Sequence, residues 1–272
     1  MKTAGPKGRM SNKTFHIVHR LSNLILFLIL PFACSVLEDR DECPCRLRID
    51  LSAIPFPEVT LSLTDGSWQE VRTETLPRED ALVMNVPKGR VDVLAVCPGT
   101  SGVLSREGWT IPPGEDCPPV YLGTVRVDTD REVASCAVTV HKNFCRLTLR
   151  LASDSGGDPF PFRLSVSGNV SGFSPEGVPL EGWFAYTLPP FDAAGATTVR
   201  LPRQKDASLE LDILFSDDVL RRFALGNLMD RCGYDWTAPD LADLELTLDY
   251  ARTLLTFRCG AWEESVRIEK VL

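Results

Sequence analysis

Cys45-Arg-Leu-Arg-Ile-Asp-Leu-Ser52 and Cys145-Arg-Leu-Thr-Leu-Arg-Leu-Ala152 follow one pattern: a cysteine, then leucine or isoleucine at every second position. Alternation with period two puts the apolar side chains on one face of an extended strand and the polar ones on the other. The echo continues along the chain. Phe56-Pro-Glu-Val-Thr-Leu-Ser-Leu63 is matched by Phe160-Pro-Phe-Arg-Leu-Ser-Val166. Val83-Met-Asn-Val-Pro-Lys88, ahead of a strand at Val91, is matched by Val199-Arg-Leu-Pro-Arg203, ahead of a strand at Leu209. Three matches in one order at similar spacing mark an internal duplication.

The rest of this region agrees. Val59, Leu61 and Leu63 alternate with Thr60, Ser62 and Thr64, and Leu209, Leu211 and Ile213 alternate with Glu210 and Asp212. Near the end, Leu255, Phe257 and Cys259 are separated from Val266 and Ile268 by the turn-forming Gly260. Twenty prolines and 19 glycines, mostly between such runs, punctuate many short strands. The expectation is an all-β chain of two tandem antiparallel β-sandwiches, over residues 43–134 and 135–272. Each is large enough to bury a core of its own. The junction follows a strand near Tyr121 to Val127. Asp217 to Met229 is either a helix, with Val219, Leu220, Phe223 and Leu228 on one face, or a strand from Val219 to Leu225 followed by one turn.

Residues 1–33 have a different character. Lys2, Lys7, Arg9, Lys13 and Arg20 form a basic leader without Asp or Glu, and Leu21 to Ala33 is an apolar run. That run is too short for the roughly 20 residues a membrane-spanning helix needs and suits the core of a signal peptide. Met10 offers a second start. Ala33-Cys34 then fits a bacterial lipoprotein cleavage site, with a small residue before the cut and an acylated cysteine after it. Pro31 stands where such sites usually carry leucine, and ordinary secretory cleavage near Ala33 is the alternative. Residues 34–42 are an acidic tether (Ser-Val-Leu-Glu-Asp-Arg-Asp-Glu after Cys34), either a solvated linker or a sign of display on the outer surface. The expected location is therefore the outer membrane, lipid-anchored and facing the cell surface.

Without the five basic residues of its leader, the chain keeps 24 of its 29 Lys and Arg against 37 Asp and Glu. Nucleic acid is thus not an expected partner, since a phosphate backbone needs a basic surface. Setting Cys34 aside leaves Cys43, Cys45, Cys97, Cys117, Cys136, Cys145, Cys232 and Cys259. An even number in an exported protein allows up to four disulfides, with the connectivity open. Cys43-Pro-Cys45 has no second cysteine pair or His-x-His to complete a metal site, so neither a metal nor a cofactor is expected. His141 is the sole histidine beyond the leader and reads as a linker or surface residue rather than a catalytic one. No Gly-x-Ser-x-Gly elbow or phosphate-binding glycine loop occurs. Asp128-Thr-Asp130 and Asp217-Asp218 lack the spacing of an EF-hand and read as solvated turns. Trp68, Trp109, Trp183, Trp236 and Trp262 are candidates for a sugar site, or for core and interface.

The acylated cysteine, acidic spacer, Cys43-Pro and Leu-Arg-Ile strand resemble the start of the fimbrillin-associated anchor lipoproteins of Bacteroidales-type (type V) fimbriae. Tyr121-Leu-Gly leading to Val138-Thr-Val-His-Lys-Asn-Phe-Cys-Arg-Leu-Thr-Leu is similar to that family's passage into its second domain. Phe223-Ala-Leu-Gly226, Cys232-Gly-Tyr-Asp-Trp236 and Leu244-Glu-Leu-Thr-Leu-Asp-Tyr250 extend the likeness to nearly the whole exported length. Val96-Cys97-Pro-Gly departs from it where the family often has an aromatic residue. The resemblance implies transthyretin-like sandwiches and no enzymatic activity. It also implies a lipoprotein that fastens a fimbrial shaft at its base and influences fimbrial length and retention. The partner it implies is a fimbrillin-like shaft subunit joined by β-strand addition, with the membrane as second partner through the lipid. Which strand pairs is left open by the sequence; Ser265 to Leu272 and the first strand of either domain are candidates, because termini commonly form edges. A surface lipoprotein that binds glycans is the alternative reading.

Overall fold

The computed structural model describes residues 43–67, 70–77, 79–98, 108–152, 160, 162–215 and 218–249, and the backbone of 254–259 and 262–267. Cys34, the tether before residue 43 and the signal segment lie outside the described residues.

The first half of the chain forms β1 (Cys45–Asp50), β2 (Glu58–Asp65), β3 (Glu70–Pro77), β4 (Ala81–Val86), β5 (Arg90–Cys97), β6 (Trp109–Thr110), β7 (Tyr121–Asp128), β8 (Val133–Ala137) and β9 (His141–Lys142). The second half forms β10 (Phe144–Leu151), β11 (Arg163–Phe173), β12 (Pro179–Thr187), β13 (Ala196–Pro202), β14 (Glu210–Phe215) and β15 (Asp218–Phe223). A short helix α1 (Leu225–Arg231) follows, then β16 (Leu244–Asp249), β17 (Leu254–Cys259) and β18 (Trp262–Arg267). Of the two readings of 217–229, the strand followed by a turn of helix is the one realised.

Four sheets result, in the orders β4-β1-β8, β3-β2-β5-β7-β9, β13-β10-β16-β17-β18 and β12-β11-β14-β15. The duplication holds strand for strand. β1 lies antiparallel to β4 and parallel to β8, as β10 lies antiparallel to β13 and parallel to β16. β2 pairs with β3 and β5, and β5 with β7; β11 pairs with β12 and β14, and β14 with β15. The chain is all-β, built from two antiparallel sandwiches on one seven-strand plan. The expectation that the first strand of each would be an edge is corrected, because β1 and β10 are both central. The position 134/135 falls inside β8, and strand pairing carries the first sandwich's sheets through Lys142.

Burial follows the alternation. In the first sandwich Leu47 and Ile49 of β1 face Val59, Leu61 and Leu63 of β2 and Val91 and Val93 of β5, all buried. In the second, Leu147 and Leu149 of β10 face Leu164 and Val166 of β11 and Leu211 and Ile213 of β14. Each such side chain contributes about 1.5–3 kcal/mol on leaving water. β5 is buried on both faces. Val91, Val93, Ala95 and Cys97 point into the first core, while Leu94 and Val96 belong to the second. A strand sandwiched in this way loses the polar outer face that period two would otherwise give it.

The connection from β5 to β7 also crosses over. β6 pairs with the end of β11, Trp109 opposite Phe173 and Thr110 opposite Gly172, and Ile111 N donates to Ser171 O at 2.8 Å. Two glycines permit this approach, since a Cβ on Gly172 would sit 1.9 Å from Trp109 O and one on Gly108 2.2 Å from Phe173 O. Further on, Asp116 meets the second sandwich through Arg200. Its Oδ1 accepts from Arg200 N at 2.7 Å and its Oδ2 lies 2.6 Å from the guanidinium. Ile111, Cys117 and Val120 are buried in the second core. The strap from 108 to 120 joins two strands of the first sandwich, β5 and β7, yet packs into the second, so the chain is interlocked across the two.

Candidate functional site

A polar cleft of about 480 Å³ opens where the two sandwiches meet. Its floor comes from the outer face of β5 and β7 and its far wall from the loops of the second sandwich. Asp92 and Arg126 are cross-strand partners, and the guanidinium grips the nearly buried carboxylate twice, Nε to Oδ1 at 2.6 Å and Nη2 to Oδ2 at 3.3 Å. Hydrogen bonding to Asp92, its charge and, farther off, Glu176 of the second sandwich hold Arg126 more firmly protonated than usual. Beside them Thr124 Oγ1 donates to Pro175 O at 2.9 Å. The β11–β12 turn therefore rests on β7.

Arg203, just past β13, closes the other end. Its Nε donates to Asn143 Oδ1 at 2.8 Å, Nη1 to the carbonyls of Trp236 and Ala238 at 2.5 and 2.8 Å, and Nη2 to Pro239 O at 3.0 Å. Burial lowers its pKa, opposed by the negative potential of Tyr234, Asp235 and Asp240. Oxygen acceptors on all sides of one fork fix the 236–239 loop. The linker is clasped from the same loop. Asp240 Oδ1 accepts from Lys142 N at 2.7 Å and its Oδ2 lies 3.2 Å from His141 Nδ1, while Lys142 Nζ pairs with Asp243. The backbone donor of Lys142, with His141 and Arg203 as helpers, holds Asp240 below the ordinary carboxylate value. His141 thus serves a clasp, and its partner Asp240 is shared with the backbone. Asn143 is buried with its Nδ2 unpartnered.

The cysteines occupy places that the expected disulfides do not. Cys43, Cys45, Cys97, Cys117, Cys136 and Cys145 carry free thiols, and Cys232 Sγ donates to Met229 O at 3.0 Å. The expectation of disulfide stapling is corrected for these seven residues; the side chain of Cys259 lies outside the described residues. The physical reason is phase. Cys45 is in register with Leu47 and Ile49, Cys97 with Val93 and Ala95, and Cys145 with Leu147 and Leu149, so each thiol fills its core as a small apolar group. Burial pushes Cys97 and Cys136 up to about 11 and Cys145 up to about 12, and drives Cys117 higher still. Such thiols hold little thiolate at neutral pH, and the fully buried Cys97, Cys117 and Cys145 are inert toward exchange, whereas Cys136 is half-buried and reachable from solvent.

Among the described tryptophans, Trp236 is buried and Trp109 packs against Phe173 with ring centroids 6.4 Å apart. Trp183 on β12 is exposed. None of the three lines the cleft. Trp68 and the side chain of Trp262 lie outside the described residues. Sequence reasoning singled out His141 but missed Asp92, Arg126, Arg203 and Asp240. The partners described above lie 33 or more residues away in sequence, beyond the reach of local pattern.

No protein-family model matches the chain, and no curated protein sequence does. Solved structures do match in fold. A protein described as a candidate polysaccharide-binding protein, from Bacteroides thetaiotaomicron, aligns over 83% of this chain and 99% of its own at a TM-score of 0.59 and 10% identity. A candidate adhesin from Bacteroides ovatus aligns over 84% and 96% at 0.56 and 13% identity. The fimbrial anchor protein Mfa2 from Porphyromonas gingivalis aligns over 82% and 96% at 0.51 and 10% identity. At these identities the likeness is one of fold.

Proposed function

We propose that this chain is a non-enzymatic lipoprotein of the fimbrial anchor family, held in the outer membrane by acylated Cys34 and fastening a fimbrial shaft at its base. The observation that carries the reading is the construction of the two sandwiches as one piece. β5 is shared between cores, the strap crosses from one sandwich to the other, and the cleft's two arginines are engaged with Asp92 or with Asn143 and backbone carbonyls. A tether must transmit load between its lipid and its cargo, and a chain whose halves interlock suits that task better than two beads on a linker. The shared fold with a fimbrial anchor protein and the lipoprotein-like start support the same reading. Several acyl chains would give firm attachment, each buried methylene adding about 0.8 kcal/mol. The shaft subunit would bind by adding a strand to an open sheet edge, where backbone hydrogen bonds supply affinity.

Cys34→Ala tests the anchor. It should abolish palmitate labelling, release the protein from membranes and shed the fimbriae into the medium. Continued labelling would refute the site, and full retention of fimbriae would refute the function. A glycan-binding surface lipoprotein is the second reading, favoured by the exposed Trp183. Saturable binding on a glycan array that disappears in Trp183→Ala would support it.

A further inference from the structure

We propose that the outward edge of β8 is where a partner adds its strand, as an extended segment running antiparallel to Val133–Ala137. The proposal deepens the anchor reading and rests on it.

The molecule carries its own precedent. β8 and β16 occupy the same place in the duplicated plan, each parallel to its central strand. In the second sandwich the far side of β16 is covered: β17 pairs with it antiparallel, Thr247 opposite Thr256 and Leu248 opposite Leu255, and β18 follows. In the first sandwich no strand among the described residues lies beyond β8. Among the described residues, the site that accepts a strand in one half is bare in the other.

The backbone of β8 is set for it. Arg46 N donates to Glu132 O at 2.8 Å and Val138 N donates to Asp50 O at 3.1 Å. Even-numbered residues of this stretch therefore turn their backbone groups toward β1, and Val133, Ser135 and Ala137 turn theirs outward. Side chains agree. Ala134 is buried and Cys136 packs at the border of the core, half-buried, while Val133 is 64% exposed. An added strand with apolar residues at alternate positions would extend the core past Cys136 and cover Val133.

Edges that must stay single are normally blunted by charge, proline or bulges. β3 has Glu70, Arg72 and Glu74. β12 has Pro179, Glu181 and a backbone irregular against β11, and β15 has Asp218, Arg221, Arg222 and a register shift. β8 is Val-Ala-Ser-Cys-Ala, without any of these. β4, at the opposite edge of the same sheet, is also uncharged. Its counterpart β13 is a bare edge as well, so duplication offers no precedent for a strand there.

The test uses the full chain in fimbriated cells and in cells lacking the shaft. Ser135→Pro removes an outward N–H and leaves the β1 ladder intact, and Val133→Lys places a charge on the edge without touching the core. Site-resolved maleimide labelling of Cys136 reports cover. Labelling should be severalfold slower in fimbriated cells than in shaft-free cells. Either variant should restore it and shed fimbriae while the protein stays on the membrane and keeps its unfolding midpoint. Equal Cys136 labelling in both strains overturns the proposal, as does full fimbrial retention by folded Val133→Lys. Shedding by Cys34→Ala with retention by both edge variants rejects this edge and leaves the anchor standing. Retention by Cys34→Ala removes the anchor reading and this proposal with it.

Discussion

The two sandwiches make the same ion pair and put it to different use. In each, an aspartate of β5 or of its counterpart β14 points outward and is held by an arginine of the next strand in the sheet: Asp92 with Arg126, and Asp212 with Arg222 at 2.8 and 2.9 Å. In the first sandwich that face is roofed by the second, and the additional acid near the guanidinium is Glu176, from across the cleft. In the second the face is open, and the additional acid is Glu210, on the same strand as Asp212 and 3.2 Å from Arg222. Around the pair the contrast is the same. Leu94, Val96 and Leu122 of the first face are buried in the second core, whereas Val219 and Trp183 of the second sandwich are exposed. One plan, duplicated, yields a docking face in one copy and a solvent face in the other through the residues beside the arginine rather than the arginine itself.

The largest effects should come from placing the wrong chemistry on the roofed face. Leu94→Asp would bury an unpaired carboxylate between the sandwiches, at a cost of about 3–5 kcal/mol. Urea unfolding should then show the two halves melting apart instead of together. The corresponding change on the open face, Val219→Asp, should alter stability by no more than about 0.5 kcal/mol. Equal losses would mean that the roof contributes nothing.

Next come the arginines. Arg126→Ala strands Asp92 beneath the roof, and Arg222→Ala strands Asp212 beside Glu210. Both aspartates are largely buried, so each change should lower the urea midpoint, by less than Leu94→Asp because the arginines are half exposed and solvent screens the pairs. The comparison sharpens in a double-mutant cycle. Glu176→Gln should couple to Arg126→Ala across the cleft by a few tenths of a kcal/mol and not at all to Arg222→Ala.

Much of the fold was legible because period-two alternation is local. Cys45 to Leu51 and Cys145 to Leu151 announce the first strands of two copies, though not their central place, and Pro and Gly mark where they turn. The signal for the thiols was there as well: Cys45 and Cys145 stand in phase with leucines, which describes an inner face, while their even number pointed to pairing. What escaped was everything made by register between distant strands. Asp92 and Arg126 are opposite each other only because β5 and β7 are neighbours. β6 is two residues long and has no alternation to detect, yet Gly108 and Gly172 let it dock. Val-Ala-Ser-Cys-Ala is too short and too weakly patterned to declare itself an edge, and only the duplication gives it meaning. Cys34, on which the proposed anchor depends, is a candidate that the sequence alone supplies.

A smaller effect separates the contacts across the cleft from the fold that carries them. Thr124→Val keeps the shape of the side chain and removes its hydrogen bond to Pro175 O, a loss of about 1 kcal/mol. That loss should appear in amide exchange of the β11–β12 turn before it appears anywhere in the first sandwich.

The smallest effect concerns the linker between the sandwiches. Asp240 is ionised more readily in the folded chain than in the unfolded one, since Lys142 N donates to it and His141 and Arg203 add positive potential. A carboxylate with a lowered folded pKa contributes stability that is fully present above its unfolded value, about 4, and is lost as pH falls through the folded value. Asp240→Asn removes that contribution while keeping a hydrogen-bond acceptor for the Lys142 amide. Because Asp240 is largely exposed, the difference should be a few tenths of a kcal/mol to about 1 kcal/mol at neutral pH. Urea midpoints of the two proteins should converge as the pH is taken down through the folded value. If they stay apart at that acidity, the clasp on the linker is not electrostatic.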